Sequence, residues 1–165
     1  MAPRVFRTVA IKEIDGKPYF VNTGGLPFGE IYIYENSVAQ EITSGVLSQL
    51  VGMTAGESNN TTLTSSAITV LIGGVYSINM SVSYSGSGST EWTGGFYTND
   101  NTKPIKNMQS ARKLGAGGDV GSVSISGKAR LSAGDLLQVW FMHEEGVAKN
   151  ITVRDFNMSI VQVGG

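Results

Sequence analysis

Cysteine is absent from the chain, which excludes a disulfide framework and any metal centre built on thiolates. Charged side chains are scarce at 15% of residues, and a single histidine is the only imidazole available for acid–base or metal chemistry. No apolar run approaches the roughly 18 residues that a membrane-crossing helix requires, and no basic stretch leads into a secretory-type apolar core. These absences predict a chain without a membrane span or cleaved leader, made in a cytoplasm. Positive charge is missing over a long tract: residues 18–102 hold no Lys or Arg, against Glu30, Glu35, Glu41, Glu57, Glu91 and Asp100. The net charge of −1 conceals this, because Arg4, Arg7, Lys12 and Lys17 precede the tract and Lys103, Lys106, Arg112 and Lys113 follow it. No aromatic residues interleave with the later cluster as base-stacking sites require, so nucleic acid is not an expected partner.

What the chain does have is glycine, 22 residues of it, with Ser, Thr and Asn in nearly every segment, a mixture suited to turns and pleated surfaces. In the stretch GGVYSINMSVSYSGSG, Tyr76, Ile78, Met80, Val82 and Tyr84 share one parity, and Ser77, Asn79, Ser81 and Ser83 the other. A period of two puts one face of a strand on a core and the other in water. Similar runs are expected around 46–53, 61–72, 74–84, 91–98, 103–108, 120–131, 136–143 and 150–163, separated by Gly, Asn and Ser clusters. This predicts an all-β, antiparallel sandwich or barrel over 45–165. In the last strand the apolar parity switches from Ile151 and Val153 to Phe156, Met158 and Ile160, which predicts a β-bulge near Arg154 and Asp155. Ahead of the sandwich, VFRTVAIKEIDGKPYFVN reads as a hairpin about Asp15-Gly16, and EIYIYE as a further strand. Residues 1–44 are thus expected to form an attachment arm, with Arg4, Phe6, Arg7, Lys12, Lys17 and Tyr19 as its contact residues.

Signals for chemistry are thin, and neither a catalytic set, a metal site nor a cofactor is expected. His143 precedes Glu144 and Glu145 where a strand should end, and is expected in an exposed loop. Ser110 and Lys113 have a Ser-x-x-Lys spacing without the companion motifs of the enzymes that use it. The run GAGGDVG at 115–121 lacks the Lys-Ser/Thr ending and following helix of a phosphate-binding loop. Asp100 lies in TNDNTK, whose oxygens suit a turn between strands as well as a calcium ion. Trp92, Tyr97 and Trp140 are candidates for ligand contact, flat aromatics beside Ser and Asn being suited to a glycan, although packing in the second sheet is the favoured explanation of Trp92 and Tyr97.

The order GVYSINMSVSYSG, YTNDNTKPI, SVSISGKARLSAGDLLQVWF and NMSIVQVGG, with Gly74, Tyr76, Leu131, Gly134 and Asp135 at its marked positions, resembles the C1q and tumour-necrosis-factor type of jelly roll. The similarity covers about residues 60–165. It implies a jelly-roll sandwich assembled as a homotrimer, with Tyr76, Ile78, Met80, Val139, Phe141 and Phe156 at its core or trimer interface. It also implies the setting in which such domains follow a short attachment arm, a bacteriophage virion. The expected role is then a trimeric accessory capsid protein, of the cement or head-decoration type, made in the host cytoplasm and bound to the major capsid protein lattice. The alternative is the receptor-binding tip of a tail fibre or spike that recognises a host glycan.

Overall fold

The computed structural model describes residues 9–14, 16–22, 24–116 and 119–165, and for 9, 10, 12 and 20–22 it describes the backbone alone. Its elements are all strands: β1 (Val9–Ile14), β2 (Lys17–Asn22), β3 (Phe28–Ile33), β4 (Gln40–Ile42), β5 (Ser48–Gln49), β6 (Thr54–Asn59), β7 (Thr61–Leu63), β8 (Ala67–Val70), β9 (Gly74–Gly86), β10 (Glu91–Thr98), β11 (Pro104–Lys113), β12 (Val120–Leu131), β13 (Leu136–Met142) and β14 (Lys149–Gly164). One sheet runs β12-β9-β14-β3-β6, with β4 also paired to β14; the other runs β11-β10-β13-β8-β7, with β5 also paired to β13. Every pairing is antiparallel, and sequence neighbours repeatedly lie in different sheets, as in a jelly roll.

The core lies between the two sheets and follows from strand parity. Tyr76, Ile78, Met80, Val82 and Tyr84 of β9 face inward beside Phe156, Met158 and Ile160 of β14 and Ile31 and Ile33 of β3. Ile68, Val70, Trp92, Phe96, Leu137, Val139 and Phe141 close the same core from the second sheet. Close approach is secured where side chains are missing. A Cβ on Gly94 would fall 2.6 Å from the Phe141 ring and 2.8 Å from the Trp140 carbonyl oxygen, so the Phe141 ring needs bare backbone there. The parity switch in β14 is a bulge: Val153 pairs with Tyr84 and Asp155 with Ser83, leaving Arg154 as the extra residue.

Several features differ from the sequence expectation, among them the run expected at 46–53, of which only Ser48–Gln49 is a strand. The run 61–72 is two strands, because Thr64 caps a turn in which its hydroxyl accepts from the Ala67 amide. A strand at 54–59 was hidden by its polar composition, which suits its position at a sheet edge. Most consequential is the start of the sandwich. The expected break at 44 falls inside it, since β3 pairs with β14 over Phe28–Ile33 and Ile31, Ile33 and Ile42 are core residues. Among the described residues, only the β1–β2 hairpin stands outside both sheets, turning through Gly16 at φ +72°. Buried Ile14 touches Leu71, with Tyr19, Ile72 and Ala133 packed against them.

Two buried phenols make the fold sensitive to base. Burial pushes the Tyr76 and Tyr84 hydroxyls up to about 12, with the charge of Arg112 opposing this at Tyr84. Because the folded state keeps the proton longer, their contribution is complete below pH ~10 and is lost as pH rises toward 12. The melting temperature is expected to fall across that window. The double variant Tyr76→Phe, Tyr84→Phe should flatten the fall, although at neutral pH it loses the Tyr76 hydroxyl bond to the Ile72 carbonyl (2.6 Å), worth about 1 kcal/mol. Gly94→Ala should cost about 1–3 kcal/mol in urea unfolding through overpacking against Phe141.

Candidate assembly surface

The outward parity of the β9-containing sheet is a continuous polar face. Register sets its side chains in rows: Ser122, Ser83 and Asp155; then Ser124, Ser81, Asn157 and Tyr32; then Ser126, Asn79, Ser159 and Glu30; then Lys128, Ser77, Val161 and Phe28. Neighbouring strands are ~4.8 Å apart, a spacing that hydroxyl-sized side chains do not fill. A shallow groove of about 470 Å³ results, floored by Ser81, Ser83, Ser122, Ser124 and Asn157 and bordered by Tyr32 and Tyr34. Tyr34 is 72% exposed.

Two carboxylates are held in place on this face. The Asn157 amide donates to Glu30 Oε1 at 2.5 Å. Asp155 accepts from Ser83 Oγ (3.2 Å) and from the Glu35 backbone amide (3.1 Å), which fixes the chain leaving β3 to the bulge of β14. The Arg154–Asp155 contact at 3.9 Å joins two exposed groups and adds little. Short side chains lose little rotamer freedom when covered, and tyrosines supply large contact area with few torsions to fix. The face is therefore suited to receiving a flat macromolecular surface. Tyr32 and Tyr34 went unnoticed in the sequence although the signal is there: in EIYIYE both parities are apolar, so a strand buried on one side must still show tyrosines on the other.

The residues expected at a core or trimer interface, Tyr76, Ile78, Met80, Val139, Phe141 and Phe156, are all buried between the sheets of one chain. Their parity points inward, so they are core residues, and the outward parity of β9 and β14 carries the polar rows. The aromatic candidates divide. Trp92 is 1% exposed and stands edge-on to His143 at 5.0 Å, so it is a core residue and not a ligand contact. Tyr97 and Trp140 pair edge to face at 6.4 Å on the outside of the second sheet, Tyr97 buried and Trp140 half-buried. This pairing, with β5 alongside Trp140, gives Trp140 the second packing surface that its parity demands. Arg4, Phe6 and Arg7 lie outside the described residues, as does the Lys12 side chain; Lys17 is exposed at the hairpin turn and Tyr19 is half-buried against the body.

His143 is buried, in contrast to the exposed loop expected for it. Its Nε2 lies 2.9 Å from the Ile42 carbonyl oxygen and its Nδ1 is 3.3 Å from the Glu145 amide. Both contacts are satisfied together by a neutral ring protonated on Nε2, so the imidazole is a structural tie between β13 and β4. Asp100 serves its own turn. The Thr102 hydroxyl and amide both donate to it and hold its carboxyl below the usual range, and neighbouring Asn99 bonds Asp135 and the Leu136 amide. Among the described residues no group of three or more His, Asp or Glu converges as a metal site.

No protein-family model and no curated sequence matches the chain. Solved structures do. An Eiger TNF from S. frugiperda aligns with a TM-score of 0.59 at 16% identity, over 84% of this chain and 94% of that one. Murine APRIL aligns with a TM-score of 0.60 at 9% identity, over 84% of this chain and 100% of that one. The chain is an all-β jelly roll of the TNF-like kind, with the β1–β2 hairpin ahead of it.

Replacing His143 by Ala is expected to destabilise the protein by about 2–4 kcal/mol, since it leaves a cavity beside Trp92 and removes the ring's bond to the Ile42 carbonyl. Chemical denaturation read by tryptophan fluorescence measures it.

Proposed function

We propose that the chain is a non-enzymatic structural component of a bacteriophage virion: a homotrimeric accessory capsid protein, of the decoration or cement type, attached to the major capsid protein lattice by its N-terminal arm. The observation that carries this reading is the separation of the β1–β2 hairpin from both sheets. The sandwich core is complete without the hairpin, whose contact with the body centres on Ile14 and Leu71, while Ile11 is 69% exposed on it. A detachable strand pair with an outward apolar side chain is suited to binding something other than its own domain. Threefold repetition of a weak arm then gives avidity on a repetitive surface. The trimer reading draws on the TNF-like fold and on the outward rows around Ser81 and Asn157, bordered by Tyr32 and Tyr34. Such a component would reside on the particle and be made in the host cytoplasm.

The tail-tip alternative with a host glycan loses its main support, because Trp92 and Tyr97 are not surface residues. The arm is also shorter than the sequence suggested. Deleting 1–22 should leave a folded trimer that fails to co-sediment with purified capsids, whereas deleting 1–44 should unfold the protein by removing β3 and β4. Capsid binding retained by the 1–22 deletion refutes the arm's role. Ser81→Arg, in the middle of the polar face, is expected to leave the melting temperature within a few degrees and convert the trimer to a monomer in light scattering.

A further inference from the structure

The inward parity of the second sheet turns polar at one end. Trp92 of β10 stands opposite Arg112 of β11, and the His143 ring meets its indole edge-on at 5.0 Å. Thr90 is the next inward position from Trp92, tied to β11 by its carbonyl, which accepts from the Leu114 amide at 3.0 Å. His143 has its hydrogen bonds to the Ile42 carbonyl and the Glu145 amide. The other three groups have none: Thr90 Oγ1, Trp92 Nε1 and Arg112 Nε are buried without a protein partner. Thr90 and Trp92 are each only 1% exposed, so solvent does not serve them.

Across from them the β9-containing sheet presents glycines. The Trp92 indole lies 3.4 Å from where a Cβ on Gly86 would stand, and Arg112 Nε 2.8 Å from that position on Gly121. Arg112 also lacks a counter-charge. Among the described residues it makes no ion pair, the Arg154–Asp155 contact being on β14. Asp119 accepts from the Gly115 amide at 2.8 Å, and Glu91 is on the outward parity opposite Lys113. Tyr84, the register partner of Gly121, stays a neutral phenol, because burial pushes its hydroxyl up to about 12. Buried donors without an acceptor are costly, and a sequestered cation without a partner more so. A water would accept from two such donors and leave the charge; an anion accepts from all of them and offsets it. Arg112 as a whole is half-buried, so the group is reached from solvent where the chain passes from β11 to β12.

We infer that Thr90, Trp92 and Arg112 hold a small inorganic anion at this end of the sandwich. Arg112 supplies the charge, and the indole N–H and the Thr90 hydroxyl supply further donors. The site depends on neither the arm nor the trimer, since all three residues belong to one sheet of one chain.

The full chain carrying Trp140→Phe is the background for the test, with circular dichroism as the control for folding. The substitution removes an indole N–H that has no partner and leaves Trp92 as the sole tryptophan. Because Trp92 is buried, iodide free in solution does not reach its ring, and quenching reports iodide held beside it. Titrating iodide against gluconate at constant ionic strength is expected to quench the emission along a curve that saturates, with chloride competing. The melting temperature should rise by about 3–6 °C as chloride replaces gluconate at about 0.3 M. Adding Arg112→Met should abolish the saturable phase and hold the chloride shift under about 1 °C. Emission and melting temperature indifferent to halide overturn the inference, and so does quenching that stays linear throughout. An equal response with and without Arg112→Met overturns it as well. If the Arg112→Met protein does not fold, saturation and chloride competition in the Trp140→Phe background decide the matter.

Discussion

The antiparallel ladder between β9 and β14 is the constraint from which the remaining architecture follows. It joins Val75–Gly86 to Ile151–Gly164 at the centre of a sheet, and each side chain along it is committed to one face or the other. One parity supplies Tyr76, Ile78, Met80 and Met158 to the core, and the other supplies Ser77, Ser81, Asn157 and Ser159 to the outside. A slip of one residue would exchange the two faces, so the apolar pattern enforces the register. The bulge at Arg154 keeps both halves of β14 in phase with this requirement. It also brings Asp155 to where Ser83 and the Glu35 amide can donate to it.

Seen from this ladder, the chemistry of the two faces separates cleanly. Inside are large apolar rings and aliphatic chains, with His143 tied by the Ile42 carbonyl as a polar inclusion. Outside are short hydroxyls and amides with tyrosines at one border, and among the described residues no group of three or more His, Asp or Glu converges as a metal site. The likeness to Eiger TNF and APRIL is one of fold, with identities of 16% and 9%, and the virion role remains our reading of the arm and the surface together.

Much of this was legible in the order of residues. The strand at 120–131 was bounded correctly because Val-x-Ser-x-Ser alternation is flanked by glycine on one side and Ala-Gly-Asp on the other. The bulge followed from a parity change visible without coordinates. The candidate surface was less legible. Tyr76, Phe141 and Phe156 were assigned to a core or an interface without a means of choosing, and Trp92 was held open as a ligand contact. Periodicity says that a strand has a buried face, but not whether one chain or two do the burying. The domain start failed for a related reason: the boundary was set at Ser44-Gly45, whereas Ile31 and Ile33 ahead of it complete the core from a strand paired with the chain's far end.

The sequence by itself determined the strand faces, the bulge, the lack of thiolate chemistry and the long tract without cations, because each is a local property of spacing or composition. Only the tertiary structure decided strand order, and with it everything that depends on neighbours far apart in the chain. It placed β3 beside β14 and closed His143 under Ile42. It gathered Lys106, Lys113, Lys128 and Arg130 on one edge and brought Lys149 and Arg154 of β14 beside Glu41 and Glu35. Charge along a chain is one-dimensional; which charges share an edge is set by pairing between strands more than a hundred residues apart, and no local pattern encodes it.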